Sequence, residues 1–228
     1  IGSTGMVLKR PSPISYLKAN WLWLATHIGA LIPLVLLIWD YSQNQLTVNP
    51  IQEATFRTGK TALILLVLSL AITPLNIVFG LKKLLPLRKP LGLYAFLYVS
   101  LHFLIFVWID YGLNLKFLQE GLLEKRYALV GLAAFILLIP LALTSTQGWM
   151  KRLGKNWKRL HRLVYLVGIL AVIHFVWLVK SDVREPLAYG AAVLFLLLIR
   201  WPALRRAISN TRYKVKQRRK TQTIVATE

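Results

Sequence analysis

The chain has 228 residues, of which 56% are hydrophobic and only 16% charged, and its formal net charge is +21. Soluble domains have roughly 45–50% apolar and about 25% charged residues, while disordered chains combine high net charge with low hydrophobicity. The mean hydropathy of +0.55 therefore argues against a nucleic-acid-binding domain, the usual interpretation of a pI near 10.6. The composition indicates a membrane protein with a basic water-facing part, and the absence of cysteine excludes disulfides and thiolate metal sites.

Six charge-poor segments predict membrane-spanning helices, because such a helix needs about 20 mostly apolar residues. The last segment has few residues before Arg200, and it reaches spanning length only if Arg200 snorkels and the helix continues to about Leu204. We therefore expect an all-α membrane protein, a six-transmembrane-helix bundle. The segments are 19–39, 61–81, 90–109, 127–150, 163–179 and 186–199.

The distribution of positive charge predicts the orientation, since loops rich in Lys and Arg stay in the cytoplasm. The predicted inner side holds 22 of the 29 basic residues and one acidic residue, Glu228, whereas the outer side holds seven of each sign. Both termini are therefore expected in the cytoplasm. We divide the chain into a cloning remnant with a basic N-terminus (1–18), the transmembrane domain (19–204) and a basic cytoplasmic tail (205–228). The tail is expected to attract anionic lipid, the alternative being an acidic electron-donor protein.

The four histidines carry the predicted chemistry, because ionisable residues within a bilayer are costly and mark function. Neutral imidazole is a standard axial ligand of haem iron, although a lone histidine can also be a packing residue bonded to a neighbouring helix. At the rise of an α-helix, His102 lies about 18 Å and His174 about 17 Å from the inner edge. Similar depth on separate helices predicts one haem held between them.

A second haem or other cofactor at His161 and His27 is an alternative. His161 precedes His174 by 13 residues, so the two point in largely different directions unless the helix is distorted. His27 is a partner for His161 only if the first and fifth spans are neighbours.

Other polar residues at the inner face are candidate cofactor contacts. Hydroxyl and amide groups there can bind a quinone or flavin or can satisfy a helix end, and cations can pair with haem propionates or a flavin phosphate or can reflect topology alone. These residues are Thr144, Thr146, Gln147, Arg88, Arg159 and Arg162.

Several runs carry a family resemblance. They are TGKTAL at 58–63, ITPL at 72–75, LGL at 91–93 leading to LH at 101–102, TSTQ at 144–147, LGKNW at 153–157 leading to LHRLVY at 160–165, and IHFVW at 173–177. In this order they resemble the MsrQ family, formerly YedZ, within the ferric-reductase-like transmembrane group. The resemblance covers nearly the whole membrane region.

The resemblance implies a cytochrome of the bacterial inner membrane with haem b and an association with FMN. It implies electron delivery from the quinol pool, or from a cytoplasmic flavin reductase, to a periplasmic molybdopterin-containing methionine sulfoxide reductase subunit that repairs oxidised proteins. His102 and His174 are then the best ligand candidates, and His161 is a third functional histidine. The related NADPH oxidases have two histidines in the third helix, whereas this chain has only His102 there. The alternatives are a self-contained ferric or oxygen reductase and a non-redox transporter or scaffold.

Overall fold

A computed structural model of the chain describes residues 13–179 and 181–225, and the regular elements within these ranges are helical. The predicted cloning remnant at the N-terminus and Glu228 lie outside these described ranges. The elements are α1 (Pro13–Ser42), α2 (Pro50–Phe79), a 3-10 segment (Lys82–Leu87), α3 (Arg88–Leu104), a π-helical segment (Ile105–Asp110), α4 (Leu115–Glu124), α5 (Arg126–Leu143), α6 (Gln147–Leu153), α7 (Lys155–Leu160), α8 (Leu163–Leu178), α9 (Arg184–Ile199) and α10 (Pro202–Val225).

The lengths and compositions of the helices confirm the prediction of an all-helical membrane protein. A sixth candidate span consists of α9 with the first part of α10, and this pair is bent by 70°. The described residues thus contain five helices that can cross a membrane, or six if the bent pair counts as one span. The five are Asn20–Ser42, Pro50–Phe79, Lys82–Asp110, Arg126–Leu143 and Lys155–Leu178.

The condition that the sixth helix continue to about Leu204 is met only across a bend, because α9 ends at Ile199. Pro202 begins the next helix, and proline lacks the N–H that a continuing helix would bond and disfavours helical geometry in the residue before it. Arg200 is half-buried at this bend. Its guanidinium donates to the Tyr165 hydroxyl at 2.7 Å and to the Leu70 carbonyl at 2.5 Å.

Helix α2 lies at the centre of the bundle. The Asn49 side chain accepts a hydrogen bond from the Gln52 N–H at 3.1 Å, and Pro50 occupies the first turn, where its missing N–H costs nothing. The helix ends at Gly80, whose φ of +73° is the left-handed geometry that glycine adopts without strain.

The core is built mainly from two helix pairs, α2 with α3 and α5 with α8. Small and large apolar side chains interdigitate between them. The buried cluster consists of Ala30, Ala62, Leu65, Leu66, Leu70, Ala95, Tyr98, Ala134, Leu138, Leu141, Val167 and Leu196.

Helix α1 covers one side of this core. It packs against α2 and α3, and the buried Tyr98 hydroxyl of α3 donates to its Ala30 carbonyl at 2.7 Å. Its other face exposes large apolar side chains, including Trp21, Ile28 and Val35. Apolar residues around the whole circumference are typical of a helix in lipid.

Ion pairs connect the ends of α1, α2 and α9 that were assigned to the outer side. The Arg57 guanidinium contacts Asp40 and Glu53, each at 2.5 Å, and the Lys60 ammonium contacts Glu185 at 2.6 Å. Acidic and basic residues of the outer side thus neutralise each other locally.

Candidate functional site

His102 of α3 and His174 of α8 face each other in the bundle. Their ring centroids are 6.1 Å apart and their planes are perpendicular, at 90°. The two helices belong to different helix pairs of the core, so the fold brings together two side chains that are far apart in sequence.

Each of these rings is fixed by a hydrogen bond to the backbone of the helix beside it. His102 Nδ1 lies 2.8 Å from the Thr55 carbonyl oxygen, and His174 Nδ1 lies 2.7 Å from the Tyr127 carbonyl oxygen. A carbonyl oxygen only accepts, so Nδ1 carries the proton in both rings. The Nε2 atoms of both neutral imidazoles therefore keep their lone pairs, which is the form that binds a metal.

The donor set fits a haem better than a bare metal ion. Among the described residues no group of three or more His, Cys, Asp or Glu side chains converges, and protein sites for bare transition-metal ions use three or four ligands. A haem needs only axial ligands from the protein. With metal–nitrogen bonds of about 2 Å, imidazoles on opposite sides of one metal have centroids roughly 6 Å apart, close to the observed 6.1 Å.

The pair lies towards the outer ends of the helices. Thr55 is five residues from the start of α2 and Tyr127 is the second residue of α5, and both of these helix ends were assigned to the outer side. At 1.5 Å per residue, the Thr55 acceptor is about 8 Å from its helix start. A group bound between the two rings would thus lie closer to the predicted outer ends of these helices than to their inner ends.

His161 lies at the opposite end of the bundle, which was predicted to be the inner end, and has different partners. Its Nε2 is 3.1 Å from the Thr144 hydroxyl oxygen, and that hydroxyl donates to the Pro140 carbonyl at 2.6 Å. Because the hydroxyl proton is used, the hydroxyl accepts from Nε2–H, and the lone pair of His161 is at Nδ1. Trp157 stacks on the ring at 4.0 Å and donates its indole N–H to the Thr144 carbonyl at 2.9 Å.

His27 contacts α3 instead of His161. Its Nδ1 is 2.8 Å from the Tyr94 hydroxyl, and Trp23 lies against the ring with centroids 4.0 Å apart. Its Nε2 is buried and forms no hydrogen bond to the described residues. No hydrogen bond or ring contact joins His27 and His161 within the described ranges, so the structure does not bring these two candidates together.

The remaining candidates lie around the predicted inner ends of α3, α5 and α8. The Thr146 hydroxyl caps α6 by accepting from the Trp149 N–H at 3.4 Å, and Gln147 begins that helix with an exposed side chain. The cations Arg88, Arg159 and Arg162 are exposed at the same end.

Sequence reasoning missed the acceptors of the histidine N–H groups. Thr55 and Tyr127 act through their main-chain carbonyls, which every residue type supplies, so their side chains gave no signal. The sequence does contain one regularity, since each histidine follows its acceptor by 47 residues.

Comparison with known proteins identifies the family. Residues 58–172 match the model described as "Ferric reductase like transmembrane component". The chain is 47% identical over 180 residues to the protein-methionine-sulfoxide reductase heme-binding subunit MsrQ of Xanthomonas campestris pv. campestris (strain 8004), an alignment that covers 76% of this chain and 82% of the relative.

Two further relatives support the same family assignment. Identity is 47% over 177 residues to MsrQ of Xanthomonas axonopodis pv. citri (strain 306), covering 75% of this chain and 81% of that protein. It is 42% over 172 residues to MsrQ of Bordetella pertussis (strain Tohama I), covering 75% and 84%. No solved structure matches the chain. On the matched membrane segment and these identities, the chain belongs to the MsrQ family of ferric-reductase-like transmembrane proteins.

Proposed function

We propose that this chain is a transmembrane b-type cytochrome that holds haem between His102 and His174 and passes electrons outward across the bacterial inner membrane. The observation that carries the proposal is the facing pair of imidazoles, each with Nδ1 hydrogen-bonded to a carbonyl, a bond that leaves the lone pair on Nε2. Family membership supports it, since the curated relatives are named heme-binding subunits. When bound, the haem supplies one-electron transfer.

The ligand set favours electron transfer over oxygen chemistry. A haem held by both His102 and His174 would have no iron position left for oxygen, so it would supply electron transfer and not oxygen activation. This arrangement speaks against a self-contained oxygen reductase. His102 and His174 each hold their proton at Nδ1, so neither has to lose a proton to bind the metal.

The outward displacement of the site supports delivery to an acceptor outside the membrane. That acceptor is a periplasmic molybdopterin-containing methionine sulfoxide reductase subunit, which carries out the sulfoxide chemistry during repair of oxidised periplasmic proteins. The outer helix ends that such a subunit would approach are ion-paired and close to neutral. This chain is then the electron-transfer subunit, and catalysis on sulfur takes place in the partner.

Electrons enter from the inner side, from the quinol pool or from a cytoplasmic flavin reductase, with FMN as an additional cofactor. The cluster of His161, Thr144 and Trp157 supports this direction, because it places hydrogen-bonding groups at the inner end. Arg88, Arg159 and Arg162 are the cations available there for a propionate or a flavin phosphate. His161 and His27 are the remaining candidates for a second haem, each with a different set of neighbours.

The orientation with both termini in the cytoplasm rests on charge. All of the excess positive charge falls on the predicted inner side, where anionic lipid attracts basic segments. The transmembrane domain then spans 19–204, between the N-terminal segment 1–18 and the basic tail 205–228.

The experiment is a reduced-minus-oxidised spectrum of the purified chain with a measured haem-to-protein ratio. We expect a low-spin b-type spectrum in the wild type, and its loss or conversion to a five-coordinate form in His102→Ala and in His174→Ala. Ser100→Ala is the matched control, since Ser100 lies on the same helix as His102 and its hydroxyl, among the described residues, bonds to the Phe96 carbonyl of its own helix. A wild-type spectrum in both histidine variants would refute the ligand assignment.

The same preparation distinguishes the alternatives. Protein without haem, after expression with ample haem, points to a transporter or scaffold. Reduction of ferric chelate by the isolated chain with quinol, as fast as reduction of the periplasmic subunit, points to a ferric reductase. Flavin content is measured on the same sample and tests the FMN assignment.

A further inference from the structure

The same local arrangement surrounds each of the two histidines. In the first copy, α2 carries Thr55 and Gly59 and α3 carries His102. Each of these residues has a counterpart 72 residues later, on α5 and α8. In both copies the histidine bonds to a carbonyl, and a glycine follows that carbonyl by four residues. The counterparts are Tyr127, Gly131 and His174.

The glycines lie against the imidazole rings. A Cβ atom at Gly59 would be 2.9 Å from His102 Nδ1 and 3.0 Å from its Cε1, and a Cβ atom at Gly131 would be 2.7 Å and 2.8 Å from the same atoms of His174. Favourable non-bonded carbon contacts are about 3.5–4.0 Å. Any larger residue at either position therefore displaces the ring.

Backbone geometry does not explain these glycines. Both lie inside helices with ordinary helical φ, where glycine is less favourable than alanine by about 1 kcal/mol. The reason for glycine is the ring beside it.

The position of the glycine follows from helix geometry. In an α-helix the carbonyl of residue i accepts from the N–H of residue i+4, so the side chain of residue i+4 lies beside that carbonyl. With glycine at i+4, the oxygen of Thr55 is open to a second donor, the His102 Nδ1–H. Gly131 likewise leaves the Tyr127 carbonyl oxygen open to the Nδ1–H of His174.

We propose that Gly59 and Gly131 are positioning residues that seat His102 and His174 against these carbonyls and fix the two ring planes at right angles. This inference rests on the proposed function, in which the two rings are the axial ligands. A hydrogen bond from the non-ligating ring nitrogen fixes the ring's orientation and raises its basicity as a ligand. The pair of glycines then sets both the angle between the ligand planes and the reduction potential of the iron.

The angle between the planes has a direct spectroscopic signature. Perpendicular axial imidazoles give a ferric low-spin electron paramagnetic resonance signal dominated by one large g value, whereas parallel rings give a rhombic spectrum with three resolved g values. We therefore expect the large-g signal in the wild type, because the rings are perpendicular in the structure.

The test uses Gly59→Ala and Gly131→Ala in the purified full-length chain. Each variant is expected to change the large-g signal and to shift the midpoint potential. Each is also expected to release haem to apomyoglobin about tenfold faster, the change that loss of one buried hydrogen bond predicts. Gly29→Ala and Gly92→Ala are the controls, since a Cβ atom meets nothing within 4 Å at Gly29 and only Ser69 Oγ at 3.6 Å at Gly92. Wild-type signals and potentials in both test variants would overturn the proposal.

If the Gly59→Ala protein does not accumulate in the membrane, a double-mutant cycle with His102→Ala still tests whether the glycine is needed because of the ring. With His102→Ala the ring is gone, so Gly59→Ala/His102→Ala should accumulate as well as His102→Ala alone. Equal failure of the double variant would show that the glycine is needed for another reason, against the proposal. A wild-type chain without haem would refute the ligand assignment, while the cycle on thermal stability would still test the contact between ring and glycine.

Discussion

Arg200 of the α9–α10 bend bonds to Tyr165 of α8 in two ways. Its Nη1 donates to the hydroxyl at 2.7 Å, and the guanidinium carbon lies 5.0 Å from the centroid of the aromatic ring. No carboxylate pairs with Arg200 within the described residues. A half-buried cation that is held only by neutral acceptors depends on each of them.

We expect Tyr165→Phe to loosen this bend. The substitution keeps the ring but removes an acceptor from a charged donor, a loss of about 1.5–3 kcal/mol. The measurement is the melting temperature of the purified chain, together with the rate of tryptic cleavage after Arg205 and Arg206 at the start of α10. Tyr41→Phe is the control because Tyr41 is exposed. Equal melting temperatures and cleavage rates in the two variants would contradict the role of this hydrogen bond.

The bend also illustrates what the sequence could and could not predict. Counting apolar residues predicted the five helices that can cross a membrane, and helix rise predicted similar depths for His102 and His174, because hydropathy and helix rise are local properties. The counts could not show that Arg200 turns inward to Leu70 and Tyr165, since that depends on which helices are neighbours. The short helices α4 and α7 were likewise absent from the predicted elements, because loops of this length have no strong hydropathy signal. The fourth segment, predicted to continue to residue 150, was too long: α5 ends at Leu143 and the separate helix α6 begins at Gln147.

The hydrogen bond from Tyr98 to the Ala30 carbonyl is the basis of a second prediction. Tyr98 is 1% exposed, and its hydroxyl joins α3 to α1. We expect Tyr98→Phe to lower the free energy of unfolding by about 1 kcal/mol, because one buried hydrogen bond is lost while the packing of the ring remains. Thermal unfolding in detergent measures this, with Ser100→Ala as a control on the same helix. A melting temperature equal to that of the control would contradict it.

The separation of the inner and outer histidines gives a third prediction. His161 bonds to Thr144, whereas His102 and His174 bond to the carbonyls of Thr55 and Tyr127. We therefore expect His161→Ala to keep the six-coordinate spectrum of the outer pair. Any second haem that depends on His161 would be lost, and the haem-to-protein ratio would show it. Disappearance of all low-spin haem from a stably folded His161→Ala variant would refute the independence of the two sites.

The orientation can be tested because the native chain has no cysteine, so a single introduced thiol reports its own side of the membrane. Gln45 lies in the exposed turn between α1 and α2, and Asn210 lies on the exposed face of α10. With the predicted topology, a membrane-impermeant maleimide labels Gln45→Cys in intact spheroplasts and labels Asn210→Cys only after lysis. Labelling of both variants after denaturation is the control for reactivity. The reverse pattern would place the excess positive charge outside, and the proposed direction of electron transfer would then be wrong.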